Sequence, residues 1–191
     1  MTDFENYKLT GSVTVGQLQS WIADKSDSSK NHIIDLIGHR FENRYLKHMK
    51  VKEVDSGFLI MAVCCFVIET LQSFREGVPD TNGKGKRMFK NFFNHDKEIF
   101  PGFYELDNQF YTDIRCGILH QSETKNAWRI LRGGKLLDTT EYSINARLFI
   151  QALDKSVNKY LDELRSNDFG TKIWDNAILK LEDVCENCKR T

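Results

Sequence analysis

The chain has 191 residues, 40% of them hydrophobic and 12% aromatic, with only two prolines, which excludes a disordered or low-complexity protein and suits one compact domain with a core. Its 27 Lys and Arg balance 27 Asp and Glu, so no global charge draws it to nucleic acid or an anionic membrane, and any anion binding must be local. Five cysteines, two of them adjacent (Cys64 and Cys65) and one alone (Cys116), make no disulfide framework and point to a reducing, cytoplasmic setting.

The N-terminal stretch 1–27 reads as an extension. Its start, Met1-Thr2-Asp3-Phe4-Glu5, is acidic and lacks the basic and apolar regions of a secretory leader. Ile33, Ile34, Ile37, Phe41, Tyr45 and Met49 recur at three- and four-residue spacing, predicting an amphipathic helix over 29–50. The next helix, 56–75, begins with the apolar run 58–68. That run falls short of the roughly 20 residues that cross a bilayer, so it reads as a core helix rather than a membrane span.

Gly77, Pro79, Asn82, Gly83 and Gly85 mark a loop, followed by the positive cluster Lys84, Lys86, Arg87 and Lys90 and a short helix bearing Met88, Phe89, Phe92 and Phe93. Pro101 is read as opening a helix over 102–120, with Phe103, Leu106, Phe110, Ile114 and Ile118 on one stripe. Residues 126–140, centred on Gly133-Gly134, read as a small β-hairpin. Ser143 is expected to cap a helix that carries Leu148 or Phe149, then Leu153, Val157, Tyr160 and Leu164 on its core face and stops at Gly170. A docking helix is expected over 171–191 with Trp174, Ala177, Ile178, Leu181, Cys185 and Cys188 on one face. The expected fold is all-α, mainly helical: a single domain, an up-and-down bundle of about five to six helices with the hairpin inserted after the 102–120 helix.

One segment concentrates chemistry: Arg115-Cys116-Gly117-Ile118-Leu119-His120. Arginine offers a permanent, fork-shaped cation for phosphate oxygens, and histidine exchanges a proton near neutral pH. RNA supplies its own nucleophile in the 2′-hydroxyl, so such a pair suffices for phosphodiester cleavage without a metal. Residues five apart on a straight α-helix point about 140° away from each other. Either the helix loosens near Gly117, or a second copy brings its own pair across a two-fold axis, with Gly117 permitting close backbone approach.

Arg, four residues, then His, near the end of a helix in a helical chain, resembles the signature of the HEPN superfamily, and the wider string Phe110-Tyr111-Thr112-Asp113-Ile114-Arg115-Cys116-Gly117-Ile118-Leu119-His120-Gln121 adds to it. The resemblance covers the motif helix and, loosely, the helical order of the middle of the chain. It implies a compact helical bundle, often homodimeric, acting as a metal-independent ribonuclease in toxin–antitoxin or antiphage systems, with Arg115 and His120 as the catalytic pair in a dimer-interface cleft. It also implies an antitoxin or defence-system protein as a possible partner. Many active members place a polar residue, often Asn, after the arginine, where this chain has Cys116.

The competing readings are plain ones. Arg115 could be a surface residue paired with Glu105 or Asp113, and His120 a helix-end histidine favoured by the dipole. Asp113 could instead orient the pair. Lys125, Arg129, Arg132 and Lys135, more than the cluster at 84–90, are candidates to track an RNA backbone, with Tyr111 and Trp128 as stacking platforms. Cys185-Glu186-Asn187-Cys188 has half a zinc spacing without a second half, and His32, His39, His48 and His95 are scattered, so neither metal nor cofactor is expected. The leading expectation is an endoribonuclease that leaves 2′,3′-cyclic phosphate ends. The runner-up is a catalytically silent HEPN-like module binding RNA, a nucleotide or a protein through the same cleft.

Overall fold

Thr14 and Gln17 form a reciprocal capping box, the Thr14 side chain accepting from the Gln17 N–H and the Gln17 side chain from the Thr14 N–H, and this starts the first helix inside what the sequence offered only as an extension. The structure, a computed structural model, describes residues 4–189; Met1–Asp3, where the leader reading begins, and the last two residues of the expected 171–191 helix lie outside them. The described residues are 63% helix and 7% strand, which makes the fold mainly helical. Among the described residues there are seven α-helices of six residues or more: α1 Val15–Asp24, α2 Asp27–Phe41, α3 Gly57–Glu76, α4 Gly85–His95, α5 Cys116–Gln121, α6 Ala146–Ser166 and α7 Lys172–Glu186.

Two compact units divide the chain, and neither is a continuous stretch. The first is Met1–Arg44, Ser73–Asp80 and Asn158–Thr191; the second is Tyr45–Gln72 and Thr81–Val157. In the first unit, β1 (Lys8–Thr10) and β2 (Val13–Thr14) pair antiparallel ahead of α1. Ser26 caps α2, and the Ser29 hydroxyl donates to Asp24 at 2.7 Å, tying the end of α1 to the start of α2. The α2 stripe Ile33, Ile34, Ile37 and Phe41 is buried, as expected. Phe41 meets Phe74, which meets Tyr160. Trp174 of α7 is fully enclosed, and its indole N–H is shared between the carbonyls of Leu164 and Asn167.

The second unit is organised by rings. Phe89, Phe92, Phe93, Phe100, Phe103, Phe110 and Phe149 form one cluster of ring contacts, with Phe93 touching the other six. This cluster corrects the expected start of the 102–120 helix. Phe100 and Phe103 both have to enter it, which a turn permits: the Asp96 carbonyl accepts from the N–H groups of Ile99 and Phe100, and Gly102 adopts φ +84°. Regular helix begins only at Asp107–Gln109 and then widens into a π-helical turn, Phe110–Arg115, before α5.

The hairpin expectation is also corrected. β3 (Arg129–Leu131) and β4 (Leu137–Asp138) do not pair with each other. β5 (Ser143–Asn145) lies between them, parallel to β3 and antiparallel to β4. All three β5 residues are buried, so burial of Ile144 decides the central position over the local Gly-Gly turn. Ser143 therefore sits in a strand, and Asn145 caps α6, its Oδ1 accepting from the N–H groups of Arg147 and Leu148. The helix α3 runs for 20 residues and reaches the length and hydropathy of a membrane span, while 56% of that apolar window is buried in the fold.

Candidate functional site

The motif pair meets within one chain: an Arg115 terminal nitrogen lies 3.3 Å from His120 Nε2. The 140° divergence describes where the two Cβ atoms point, but the arginine side chain is long enough to run along the helix to the level of His120, and α5 ends one residue later. Ser122 adopts the left-handed conformation, and its N–H bonds back to the carbonyls of Gly117 and Ile118. Neither a loosened helix at Gly117 nor a second copy is needed for convergence, which corrects the geometric expectation.

Arg115 is held by a residue the sequence reading passed over. Its Nε donates to Glu69 Oε1 at 2.8 Å, with the two side chains only 19% and 14% exposed. The other Glu69 oxygen accepts from Thr81 Oγ1 at 3.5 Å. The guanidinium also lies over the Tyr111 ring, 5.5 Å from its centroid. Burial works against the charge of Arg115, but Glu69, then Tyr111 and Cys116, outweigh it and raise the pKa above its ordinary value. Burial, and then the Cys116 thiol, raise that of Tyr111 in turn. Beneath, Cys65 is fully buried, and desolvation drives its thiol far up despite Arg115 nearby.

His120 is exposed at the end of α5. A guanidinium nitrogen can only donate, so in this contact Nε2 is the acceptor and the neutral ring carries its proton on Nδ1. A permanent cation thus addresses the lone pair that would take a substrate proton. An incoming phosphate that attracts the guanidinium would release this lone pair.

The supporting candidates fall into place differently. Asp113 is buried, its carboxylate accepting from Thr112 and its carbonyl from the Lys125 N–H, so it shapes the loop after α5 and does not touch Arg115. Gly117 is buried by its own chain: a Cβ there would lie 2.5 Å from the Glu123 carbonyl oxygen and 3.1 Å from Thr124 Cα. Its lack of a side chain serves the loop rather than a two-fold axis. Cys116 is half-buried beside Tyr111 and Arg115.

The basic residues change rank. Arg129 is paired with Glu141, Arg132 with Asp55 and Lys135 with Asp138. Lys125 is half-buried, and Trp128 is buried against Tyr142 rather than offered to a base. By contrast Gly85, which opens α4 within the basic run 84–90, abuts the Tyr111 ring: a Cβ would come within 2.8 Å of it. Lys84, Lys86, Arg87 and Lys90 are all exposed around that contact. The cluster ranked lower from sequence is therefore the one brought to the motif.

Elsewhere, His32 stacks on Trp21, His39 bonds Thr10, and His95 contacts Asp96. Cys185 is buried, which pushes its thiol up to about 11, and Cys188 donates to the Val184 carbonyl. Among the described residues no three His, Cys, Asp or Glu side chains group as metal ligands. The missed residue had a signal of its own: Glu69 is the first charge after the apolar run of α3, and a lone carboxylate beside such a run needs a cation. No family model matches the chain, and no curated protein and no solved structure matches it.

Proposed function

We propose that the chain is a HEPN-type, metal-independent endoribonuclease with Arg115 and His120 as its catalytic pair, built on the up-and-down helical bundle that the motif implies. The observation that carries this reading is the 3.3 Å contact between Arg115 and an exposed His120, with Arg115 fixed from behind by Glu69. Two groups suited to phosphate binding and proton transfer are held together at a surface, one anchored and one accessible.

In the proposed reaction the scissile phosphate draws the Arg115 guanidinium away from His120. The freed Nε2 takes the proton of the 2′-hydroxyl, the 2′-oxygen bonds to phosphorus, and the bond to the 5′-oxygen breaks as that oxygen receives a proton from the imidazolium, directly or through water, which returns His120 to its neutral form. The products are a 2′,3′-cyclic phosphate and a 5′-hydroxyl. Arg115 stabilises the extra charge of the pentacoordinate phosphorus, the point on the reaction path where a fixed cation lowers the barrier most. Exposed Lys86 and Lys90 would attract the RNA backbone, and half-buried Tyr111 a base.

A homodimer fits this reading through α3. Leu59 and Phe66, 49% and 47% exposed and seven residues apart, form an apolar stripe that leads along the helix to Glu69. A second copy covering it would border the Glu69–Arg115 pair. A toxin–antitoxin or antiphage role in the cytoplasm completes the proposal.

The silent-module reading has its own observation: Arg115 is satisfied by Glu69 and His120 at once, and Cys116 stands where a polar residue is common in the family. Incubating purified protein with single-stranded RNA in EDTA separates the two. Chelator-resistant cleavage lost in both His120→Ala and Arg115→Ala supports the enzyme. Equal cleavage by all three proteins defeats it, and binding without cleavage favours the silent module.

A further inference from the structure

In the first unit, β1, the end of α2, the Pro79–Asp80 loop and the last turns of α7 enclose a cleft of about 520 Å³. Four basic residues, Lys8, Arg40, Arg44 and Lys180, line it against two acidic ones, Asp80 and Asp183, in a chain whose total charge is zero. The charge balance of the whole molecule is thus broken locally, as anion binding requires.

Two of these cations are already oriented. Arg44 donates to the Leu9 carbonyl and Lys180 to that of Pro79, with the Asp183 carboxylate 3.5 Å from the Lys180 nitrogen. A backbone carbonyl fixes a cation without cancelling its charge, so Arg44 is preorganised and still projects its field into the cleft. Tyr7 lines the same cleft and leaves 54% of its surface exposed. A planar ring beside preorganised cations matches a ligand with a planar ring and phosphate at its two ends. The volume lies within the roughly 300–1,000 Å³ of small-molecule sites.

We propose that this cleft binds a phosphorylated small molecule of the nucleotide class, with phosphate on Lys8, Arg44 and Lys180 and the base on Tyr7. The proposal does not depend on the ribonuclease reading. Isothermal titration calorimetry of the full chain with ADP, inorganic pyrophosphate and adenosine tests it. ADP should bind saturably, pyrophosphate more weakly and adenosine weakest. Lys8→Glu and Lys180→Gln should each weaken ADP by on the order of tenfold or more, the loss of one charge-assisted contact. Tyr7→Ala should weaken ADP and leave pyrophosphate unchanged, whereas Lys135→Glu should leave both as in the wild type. Lys8→Gln replaces Lys8→Glu if charge reversal impairs folding. Absence of saturable ADP binding at millimolar concentration overturns the proposal. So does ADP binding that ignores the Lys8 and Lys180 substitutions, or that is matched by adenosine.

Discussion

Replacing Glu69 by Gln removes one charge from the motif site while keeping its shape and one oxygen that can still accept from Arg115 Nε. Losing one partner of a fully buried pair costs about 3–5 kcal/mol, and an exposed pair is worth about 0–1 kcal/mol. The Glu69 and Arg115 side chains, 14% and 19% exposed, lie between those limits. The retained acceptor lowers the cost further, to about 1–2 kcal/mol. For a chain of this length that corresponds to a melting shift of roughly 3–6 °C. The sharper test is the cycle with Arg115→Met, which strands the Glu69 carboxylate beside apolar α3. Adding Glu69→Gln to Arg115→Met should restore stability rather than subtract from it, with a coupling of about 1–2 kcal/mol. In RNA cleavage, Glu69→Gln should lower kcat by about tenfold or more, the equivalent of 1.4 kcal/mol of lost positioning, with KM changed less. Additive stabilities in the cycle, or a Glu69→Gln protein that melts and cleaves as the wild type does, would refute the claim that Glu69 holds Arg115.

Three further substitutions probe the packing and capping of the two units. Gly117→Ala places a Cβ 2.5 Å from a backbone oxygen that has no flexible end to swing away, so chemical denaturation should show a loss of about 1–3 kcal/mol; wild-type stability would mean that the 123–124 loop does not press on α5. Phe93→Ala removes the ring that touches the other six of the phenylalanine cluster and should cost about 3–5 kcal/mol, or leave no cooperative transition to measure. Hydrogen bonds from the Ser26 and Ser29 hydroxyls hold the Asp24 carboxyl below the usual carboxylate range. A depressed carboxyl stabilises the fold above its unfolded pKa, and that contribution fades as pH falls through the folded pKa. The stability gap between wild type and Asp24→Asn should therefore be constant near neutrality and close in acid. A gap that widens in acid would reverse the sign and the assignment.

What the sequence showed of this fold was its local part. Ile33, Ile34, Ile37 and Phe41 announce α2, and Trp174, Ala177, Leu181 and Cys185 announce α7, because helical spacing records which side faces a core. The capping box at Thr14 and Gln17 was equally legible but lay in a stretch read as an extension. Long-range competition was not legible. The Gly133-Gly134 turn favours a hairpin, and only the demand to bury Ile144 between two strands overrides it. The widened turn Phe110–Arg115 follows from packing Phe110 into a cluster assembled from residues as distant as Phe149. At the site, spacing alone found Arg115 and His120, while Glu69, 46 positions before Arg115, could be found only by asking which cation answers a lone carboxylate beside an apolar run.

The intrachain contact between Arg115 and His120 changes what a second copy would contribute. If two protomers were needed to bring the pair together, a monomeric variant would lose both phosphate binding and proton transfer. Here one chain already holds both groups, with Gly117 sealed under its own loop. Yet a single imidazole that has accepted the 2′-hydroxyl proton must return it to the leaving oxygen on the opposite side of phosphorus, a poor geometry for one ring. In the dimer proposed through the Leu59 and Phe66 stripe, a partner's copy of the same histidine is the candidate for that step. Charging the stripe with Leu59→Glu and Phe66→Glu should then leave RNA binding nearly intact and lower kcat, whereas loss of binding with kcat preserved would place the dimer's role in gripping RNA instead of moving protons.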